Sequence, residues 1–172
     1  MPPVYTSLRH VFVSLLALGL VCFPTHPVFS FERKARCTVR FFLETTGSGA
    51  GPFATPITLH HPTRESFIES VASLSERQIL AATCYPAPDG TWGCLFQLDN
   101  SGRLTLQNIS SSNRGRTLIA HVGNAKFSRQ VQEIFIDRAI SDGLLPIARG
   151  LTHAEALLLQ KHFRPIRTER EP

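Results

Sequence analysis

Hydrophobic and polar residues alternate along RCTVRFFLET, residues 36–45. One face of an extended chain would carry Cys37, Val39, Phe41 and Leu43, and the other would carry Thr38, Arg40, Phe42 and Glu44. A period of two with β-branched and aromatic residues predicts a half-buried β-strand. The core-facing position of Cys37 predicts a buried free thiol, because a reactive thiol needs an accessible, electropositive setting.

The segment TCYPAPDGTWGCLFQLD, residues 83–99, predicts a β-hairpin. Pro88-Asp89-Gly90 supplies the turn, since proline presets φ, aspartate bonds back to the chain and glycine tolerates positive φ. Folding about Asp89 places Cys84 opposite Cys94 as cross-strand neighbours. In an oxidising compartment such neighbours pair, so we predict a Cys84–Cys94 disulfide; the alternative is two unpaired core cysteines.

Two capping boxes mark helix starts. Ser75 with Gln78 predicts a short helix, and Thr152 with Glu155 predicts a helix that runs to about Phe163. Residues 101–115 predict a further helix that ends near Asn113. Residues 116–122 read as a strand, and GN at 123–124 as a turn.

Two further extended segments lie in the second half of the chain, at 127–136 and 141–150. Pro146 lacks the N–H that a ladder requires, which favours a sheet edge for the second segment. Exposed edges accept extended peptides by strand addition. The candidate edge-binding residues are Phe127, Val131, Ile134, Leu144 and Pro146.

The order of elements is strand, short helix, hairpin, helix, strands and helix. This order predicts the α+β class, with a mostly antiparallel sheet and two or three helices packed on one face. We expect a single domain over residues 31–163, followed by a flexible tail over residues 164–172.

The first 30 residues predict a signal peptide. Arg9 and His10 precede the apolar run VFVSLLALGLVCF, and Val28 and Ser30 stand at the spacing of a signal-peptidase site. The mature chain would then lie in the periplasm or be secreted, with no membrane insertion after the signal is removed. The alternative is an inner-membrane anchor formed by an uncleaved signal, although the apolar run is short for a span.

Charge and composition argue against several classes of function. The formal net charge is +5, and the basic runs are mixed or sparse, so no nucleic-acid partner is expected. The adjacent His60 and His61 would point to opposite faces of a strand, and no third ligand accompanies them, so we expect no metal and no cofactor. No nucleophile elbow is present, and we identify no catalytic residues.

The second half of the chain resembles a known family. The segments FQLDNSGRLTLQNISSSNRGRTLIAHVGN (96–124) and AISDGLLPIARGLTHAEALLL (139–159), preceded by Glu76, Ile79 and Ala82, carry the resemblance. They resemble the head subdomain of the first periplasmic domain of SecD and SecDF, membrane proteins that assist protein export. The resemblance covers about residues 76–160. KFSRQVQEIFI replaces the small-Ala-Pro segment of the family, and nothing here resembles its membrane helices.

The resemblance implies a soluble, extracytoplasmic version of a domain that touches polypeptide. Our leading hypothesis is therefore an exported, non-enzymatic binding module that contacts a polypeptide or an envelope protein through a sheet face or edge. The alternative is a small extracytoplasmic hydrolase or ligand-binding domain that uses the Gly47–Gly51 loop with His60 or His61. A structural subunit of an envelope assembly is a third possibility.

Overall fold

The computed structural model describes residues 37–45, 54–124 and 128–167. Nine strands, one 3-10 turn and two α-helices lie in these ranges. The strands are β1 Thr38–Thr45, β2 Thr55–His60, β3 Thr63–Ile68, β4 Leu74–Ser75, β5 Ile79–Pro86, β6 Trp92–Leu98, β7 Thr117–Gly123, β8 Ser128–Phe135 and β9 Leu144–Leu151. The 3-10 turn is Glu76–Gln78, and the helices are α1 Asn100–Ser112 and α2 His153–His162.

The predicted α+β class is confirmed. Every strand-to-strand pairing within the described ranges is antiparallel. The strands divide between two sheets: a larger one in the order β2-β3-β1-β7-β8, with β4 beside β1, and a three-stranded one in the order β5-β6-β9. Both helices contact β6, and the main hydrophobic core joins the helices to both sheets.

Strand β1 is buried on both faces toward its end. Val39, Phe41 and Leu43 enter the main core as the alternation predicts, and Arg40 is exposed on the other face. The half-buried prediction is wrong for Phe42 and Glu44, because the β2–β3 hairpin pairs with β1 and extends the sheet there. Phe42 packs against a second apolar cluster of Leu59, Ile68 and Ile119, and Glu44 is 2% exposed.

The larger sheet curves so that its two outer strands, β2 and β8, approach each other. The Gln130 side-chain amide donates to the carbonyl oxygen of Thr58 at 3.5 Å. The Glu133 carboxylate accepts from the backbone N–H groups of His60 at 2.7 Å and His61 at 3.2 Å. These side-chain bonds hold the sheet as a half-barrel around the second apolar cluster.

The β5–β6 hairpin has the predicted register. Cys84 pairs with Cys94, and Tyr85 pairs with Gly93. The two cysteines form a disulfide. At the turn, Asp89 accepts from the backbone N–H of Thr91 at 3.0 Å, and the next residue, Gly90, has φ of +80°. Local turn chemistry therefore fixes which cysteines meet.

Both α-helices begin at side-chain caps. Asp99 accepts from the backbone N–H of Gly102 at 2.7 Å at the start of α1, a cap that the pattern analysis did not identify. The predicted Thr152–Glu155 capping box is present at the start of α2. Helix α1 ends at its C-cap Asn113, as predicted. Its sequence is a poor helix former, and the burial of Leu106 at 1% exposure supplies the tertiary packing it needs.

The segment after α2 lies along β5. The backbone N–H of Ala82 donates to the carbonyl oxygen of Arg164 at 2.9 Å, and Ala81 and Arg164 form a parallel bridge. The N–H of Ile166 donates to the Thr83 hydroxyl at 3.1 Å. The flexible tail over residues 164–172 stays a prediction, and within its described start Arg164 and Ile166 lie along the outer edge of β5.

Three sequence predictions fall on residues outside the described ranges: the signal peptide at 1–30, the Gly47–Gly51 loop and Phe127. In the part of the chain that the structure describes, neither helix has the length and apolar character needed to span a bilayer.

Candidate functional site

The two strands predicted as sheet edges are terminal strands of different sheets. Strand β8 ends the half-barrel, and β9 ends the three-stranded sheet. Their outer edges face each other. A Cβ atom added to Gly150 would lie 2.9 Å from the carbonyl oxygen of Val131, so the two backbones come very close at this end. Gly150 also has φ of +95°, a conformation that favours glycine.

Side chains of β8 cover the outer edge of β9. The side-chain oxygen of Gln132 accepts from the backbone N–H groups of Ala148 and Arg149, the latter at 3.3 Å. The Arg129 guanidinium donates to the carbonyl oxygen of Gly150 at 2.9 Å and forms an ion pair with Glu155. In the described chain β9 pairs with β6 alone, so these backbone donors are held by a side chain and not by a second strand.

An open cleft of about 400 Å³ lies at this junction. It is lined by His60, His61, Gln130, Val131, Gln132, Glu133 and Arg149. His60 is the last residue of β2 and His61 follows it, the next four residues come from β8, and Arg149 comes from β9. The cleft therefore draws residues from both sheets and lies directly beside the side-chain-covered edge.

Glu133 is the most heavily bonded group in the cleft. Its carboxylate accepts from the backbone N–H groups of His60 and His61, from the His60 ring Nδ1 at 3.1 Å and from the Gln130 side chain at 2.8 Å. Burial acts to raise the pKa of Glu133, but the hydrogen bonds from His60 and His61 outweigh it and hold this pKa below its usual value. Glu133 is consequently ionised and fully engaged.

Arg149 has a different environment from Glu133. It is exposed, and no hydrogen bond or ion pair of its guanidinium is present within the described residues. Asp89 lies near enough for Arg149 to contribute to its lowered pKa, but the two side chains form no hydrogen bond or ion pair, and Oδ1 of Asp89 accepts from the N–H and hydroxyl of Thr91. The uncommitted charge of the cleft is therefore positive.

The predicted edge-binding residues do not form one surface. Val131 and Ile134 pack against the main core. Leu144 is half-buried, whereas Pro146 is exposed and lies opposite Leu95 of β6. Among the four described members of this set, Val131 alone lines the cleft. The polar neighbours Gln132, Glu133 and Arg149 were missed, although all three lie on the two predicted edge strands.

The histidines are dispersed. His60 and His61 both line the cleft. The His121 ring packs edge-on against Phe42 at 5.0 Å, and its buried Nε2 has no hydrogen-bond partner in the described chain. Burial lowers the pKa of His121. No group of three or more His, Cys, Asp or Glu side chains within the described ranges is arranged to hold a metal ion.

Two other ionisable groups, Glu44 and Cys37, are buried in the interior of the fold. Glu44 pairs with Arg64 at 2.6 Å, and its carboxylate also accepts from the Ser66 hydroxyl and the Thr117 N–H. These bonds tie β1 to β3 and β7. Burial raises the pKa of the Cys37 thiol to about 11, so it stays protonated and unreactive at neutral pH.

Comparison with known proteins gives a structural likeness only. No protein-family model matches the chain, and no curated protein matches it. One solved structure, described as a membrane component SecDF that enhances protein export, is 13% identical with a TM-score of 0.49, over 78% of this chain and 70% of that one. A second, SecDF in its super-membrane-facing form, is 15% identical with a TM-score of 0.48, over 77% of this chain and 20% of that one.

The chain is thus similar to SecDF in the course of its backbone. The narrower resemblance, to the head subdomain over residues 76–160, stays a prediction.

Proposed function

We propose that this protein is an exported, non-enzymatic module that binds an extended segment of a polypeptide or an envelope protein at the β9 edge. The observation that carries the proposal is the bonding of Gln132. Its side-chain amide occupies the backbone donors of Ala148 and Arg149 beside an open cleft. A glutamine amide is the same chemical group as a peptide bond, so its oxygen stands where a peptide carbonyl would stand.

Strand addition at this edge would exchange one amide for another. Replacing the Gln132 oxygen with a peptide carbonyl is close to neutral, because the bond types match. Net affinity would come from additional backbone pairs, at about 0.5–1.5 kcal/mol each, and from side chains that enter the cleft. Rotation of the Gln132 side chain would uncover the backbone donors of Ala148 and Arg149.

Two observations support a location outside the cytoplasm. The first 30 residues have the organisation of a signal peptide. The Cys84–Cys94 disulfide is the kind of bond that forms and persists in oxidising compartments. The periplasm or the extracellular medium is therefore the proposed place of action.

Gln132→Ala tests the proposal directly. The exported protein would be titrated into a short fluorescent peptide of alternating Thr and Val with an amidated C-terminus, and binding would be followed by anisotropy. Removing the competing amide should tighten binding by roughly 3- to 10-fold, about 1 kcal/mol. The matched control is Gln107→Ala on α1, which lies outside the cleft and should bind as the parent protein does.

Two results would contradict the proposal. An absence of peptide binding by the parent protein and by both variants would exclude this function for the β9 edge. Equal affinities for Gln132→Ala and Gln107→Ala would place the bound peptide elsewhere on the molecule.

A second candidate function is supported by the His60–Glu133 pair. A carboxylate that accepts from Nδ1 can orient an imidazole so that Nε2 serves as a general base. The alternative of a small hydrolase would use this pair with the Gly47–Gly51 loop, where Ser48 is the candidate nucleophile. A panel of generic ester, phosphate and peptide substrates tests it. Turnover that is lost in Ser48→Ala, His60→Gln and His61→Gln would favour the enzyme over the binding module.

A further inference from the structure

We infer that the cleft selects bound segments that carry a carboxylate, which pairs with the guanidinium of Arg149. This inference rests on the proposed function, because it names the chemistry of the segment that the β9 edge would accept. It depends on which charges in the cleft are already engaged and on where Arg149 stands relative to the backbone donors.

The acidic group of the cleft is not available to a ligand. All four contacts of Glu133 come from the protein itself, and the three from His60 and His61 hold the end of β2 against β8. A basic side chain on an incoming segment would therefore find no free carboxylate among the residues that line the cleft. This arrangement gives basic segments no favourable partner.

The guanidinium of Arg149 is the charged group of the cleft that a ligand can reach. Its own backbone N–H donates to Gln132, so the guanidinium extends from the residue whose main chain an added strand would pair with. The exposed His61 ring lines the same cleft. A guanidinium offers a planar fork of donors that matches a carboxylate, so it distinguishes this group from a neutral amide of the same shape.

The carboxylate of Asp89 lies near Arg149 but makes no hydrogen bond or ion pair with its guanidinium among the described residues. Its Oδ1 accepts from both the N–H and the hydroxyl of Thr91, and the hydroxyl of Thr91 also accepts from the N–H of Gly150 at 2.8 Å. These bonds hold Asp89 in its turn. The donors of the Arg149 guanidinium are therefore open to a carboxylate from outside.

Two sources could supply the carboxylate: an acidic side chain within the segment, or the free C-terminus of a chain. The experiment separates them with three alternating Thr/Val peptides that differ at one group. The first carries a central Glu and an amidated end, the second carries a central Gln and an amidated end, and the third carries a central Gln and a free carboxylate end.

The protein variants are Arg149→Gln, Arg149→Lys and the control Arg138→Gln, an exposed arginine outside the cleft. We expect the parent protein to bind the Glu peptide or the free-end peptide about 3- to 10-fold more tightly than the neutral peptide. Arg149→Gln should abolish that preference. Arg149→Lys should retain part of the preference, and Arg138→Gln all of it.

The outcomes are separable. Equal binding of all three peptides by the parent protein would overturn carboxylate selection and leave the proposed function intact. A preference that survives in Arg149→Gln would also overturn the assignment to Arg149. Failure of every peptide to bind would remove the proposed function and this inference with it.

Discussion

The two outer edges of the three-stranded sheet are covered in different ways. At β5 the cover is main chain, since Arg164 accepts from Ala82 and Ile166 donates to Thr83. At β9 the cover is a pair of side chains, Gln132 and Arg129, from the neighbouring sheet. The β5 cover is covalently continuous with α2, whereas the β9 cover depends on the rotation of single side chains.

This difference indicates which edge can exchange its partner. An uncovered edge strand invites non-specific pairing, so both edges need protection. The main-chain segment that covers β5 can detach only if the end of α2, to which it is joined, also moves. A side-chain cover can be replaced in place, and at β9 it lies beside an open cleft.

Removing the side chain of Phe163, which anchors the end of α2 in the core, should have the largest effect on the β5 cover. Phe163 is 8% exposed and packs edge-on against Phe96, with 6.4 Å between ring centroids. Phe163→Ala should lower the free energy of unfolding by about 3 kcal/mol, because a buried aromatic ring is lost, and should release residues 164–167 from β5. Urea denaturation measures the first effect, and faster hydrogen exchange at the Ala82 amide measures the second.

The matched control is Phe135→Ala, the same chemical change at a ring that is 63% exposed. It should change the free energy of unfolding by less than about 0.5 kcal/mol. Similar losses for the two variants would contradict the assignment of Phe163 as the anchor.

Acid should weaken the β9 side and leave the β5 edge unchanged, because only the β9 side is held by carboxylates. Burial acts to raise the pKa of both Glu133 and Glu155, but their hydrogen bonds, from His60 and His61 and from Arg129 and Thr152, hold each pKa below the ordinary value of 4.5. Since each folded-state pKa is depressed, the stabilisation is complete above pH 4.5 and is lost as the pH falls through the folded-state pKa.

Hydrogen exchange at single amides measures this effect. After correction for intrinsic exchange rates, the His61 and Thr152 amides should lose protection as the pH falls below 4.5, because their acceptors are Glu133 and Glu155. The Ala82 amide, whose acceptor is the carbonyl of Arg164, should keep its protection over the same range. Parallel loss at all three amides would mean that acid unfolds the whole molecule.

The smallest effect is expected from the loss of one hydrogen bond at the β5 edge. Thr83→Val replaces a hydroxyl with a methyl group of similar size and removes the acceptor of the Ile166 N–H. We expect a loss of about 0.5–1 kcal/mol in urea denaturation, since the freed N–H is exposed and can bind water. Peptide affinity should be unchanged. A change in affinity would link the β5 edge to binding and remove the contrast between the two edges.

Short-range chemistry made parts of the fold predictable. The turn at Asp89 fixed the register that pairs Cys84 with Cys94, and Thr152 with Glu155 fixed the start of α2. In both cases the residues that decide the geometry lie within a few positions of the atoms that they place. The class of the fold followed from the order of such local units.

The site was less predictable, because it depends on the meeting of two sheets. Gln132 and Arg149 are 17 residues apart in the chain, and no periodicity shows that one covers the backbone of the other. The burial of Glu44 was missed for the same reason, since its partner Arg64 lies on a hairpin whose packing no local signal specifies. His60 and His61 could be picked out as adjacent histidines in the sequence, but their partner Glu133 could not.

Gly150 has no side chain beyond hydrogen, and this allows the two sheets to approach closely. Any larger residue there would act as a wedge against Val131 and force the half-barrel away from its neighbour, because the space for a Cβ is already taken by a carbonyl oxygen. The absence of a side chain at Gly150 therefore lets Val131 of one sheet and Arg149 of the other line the same cleft.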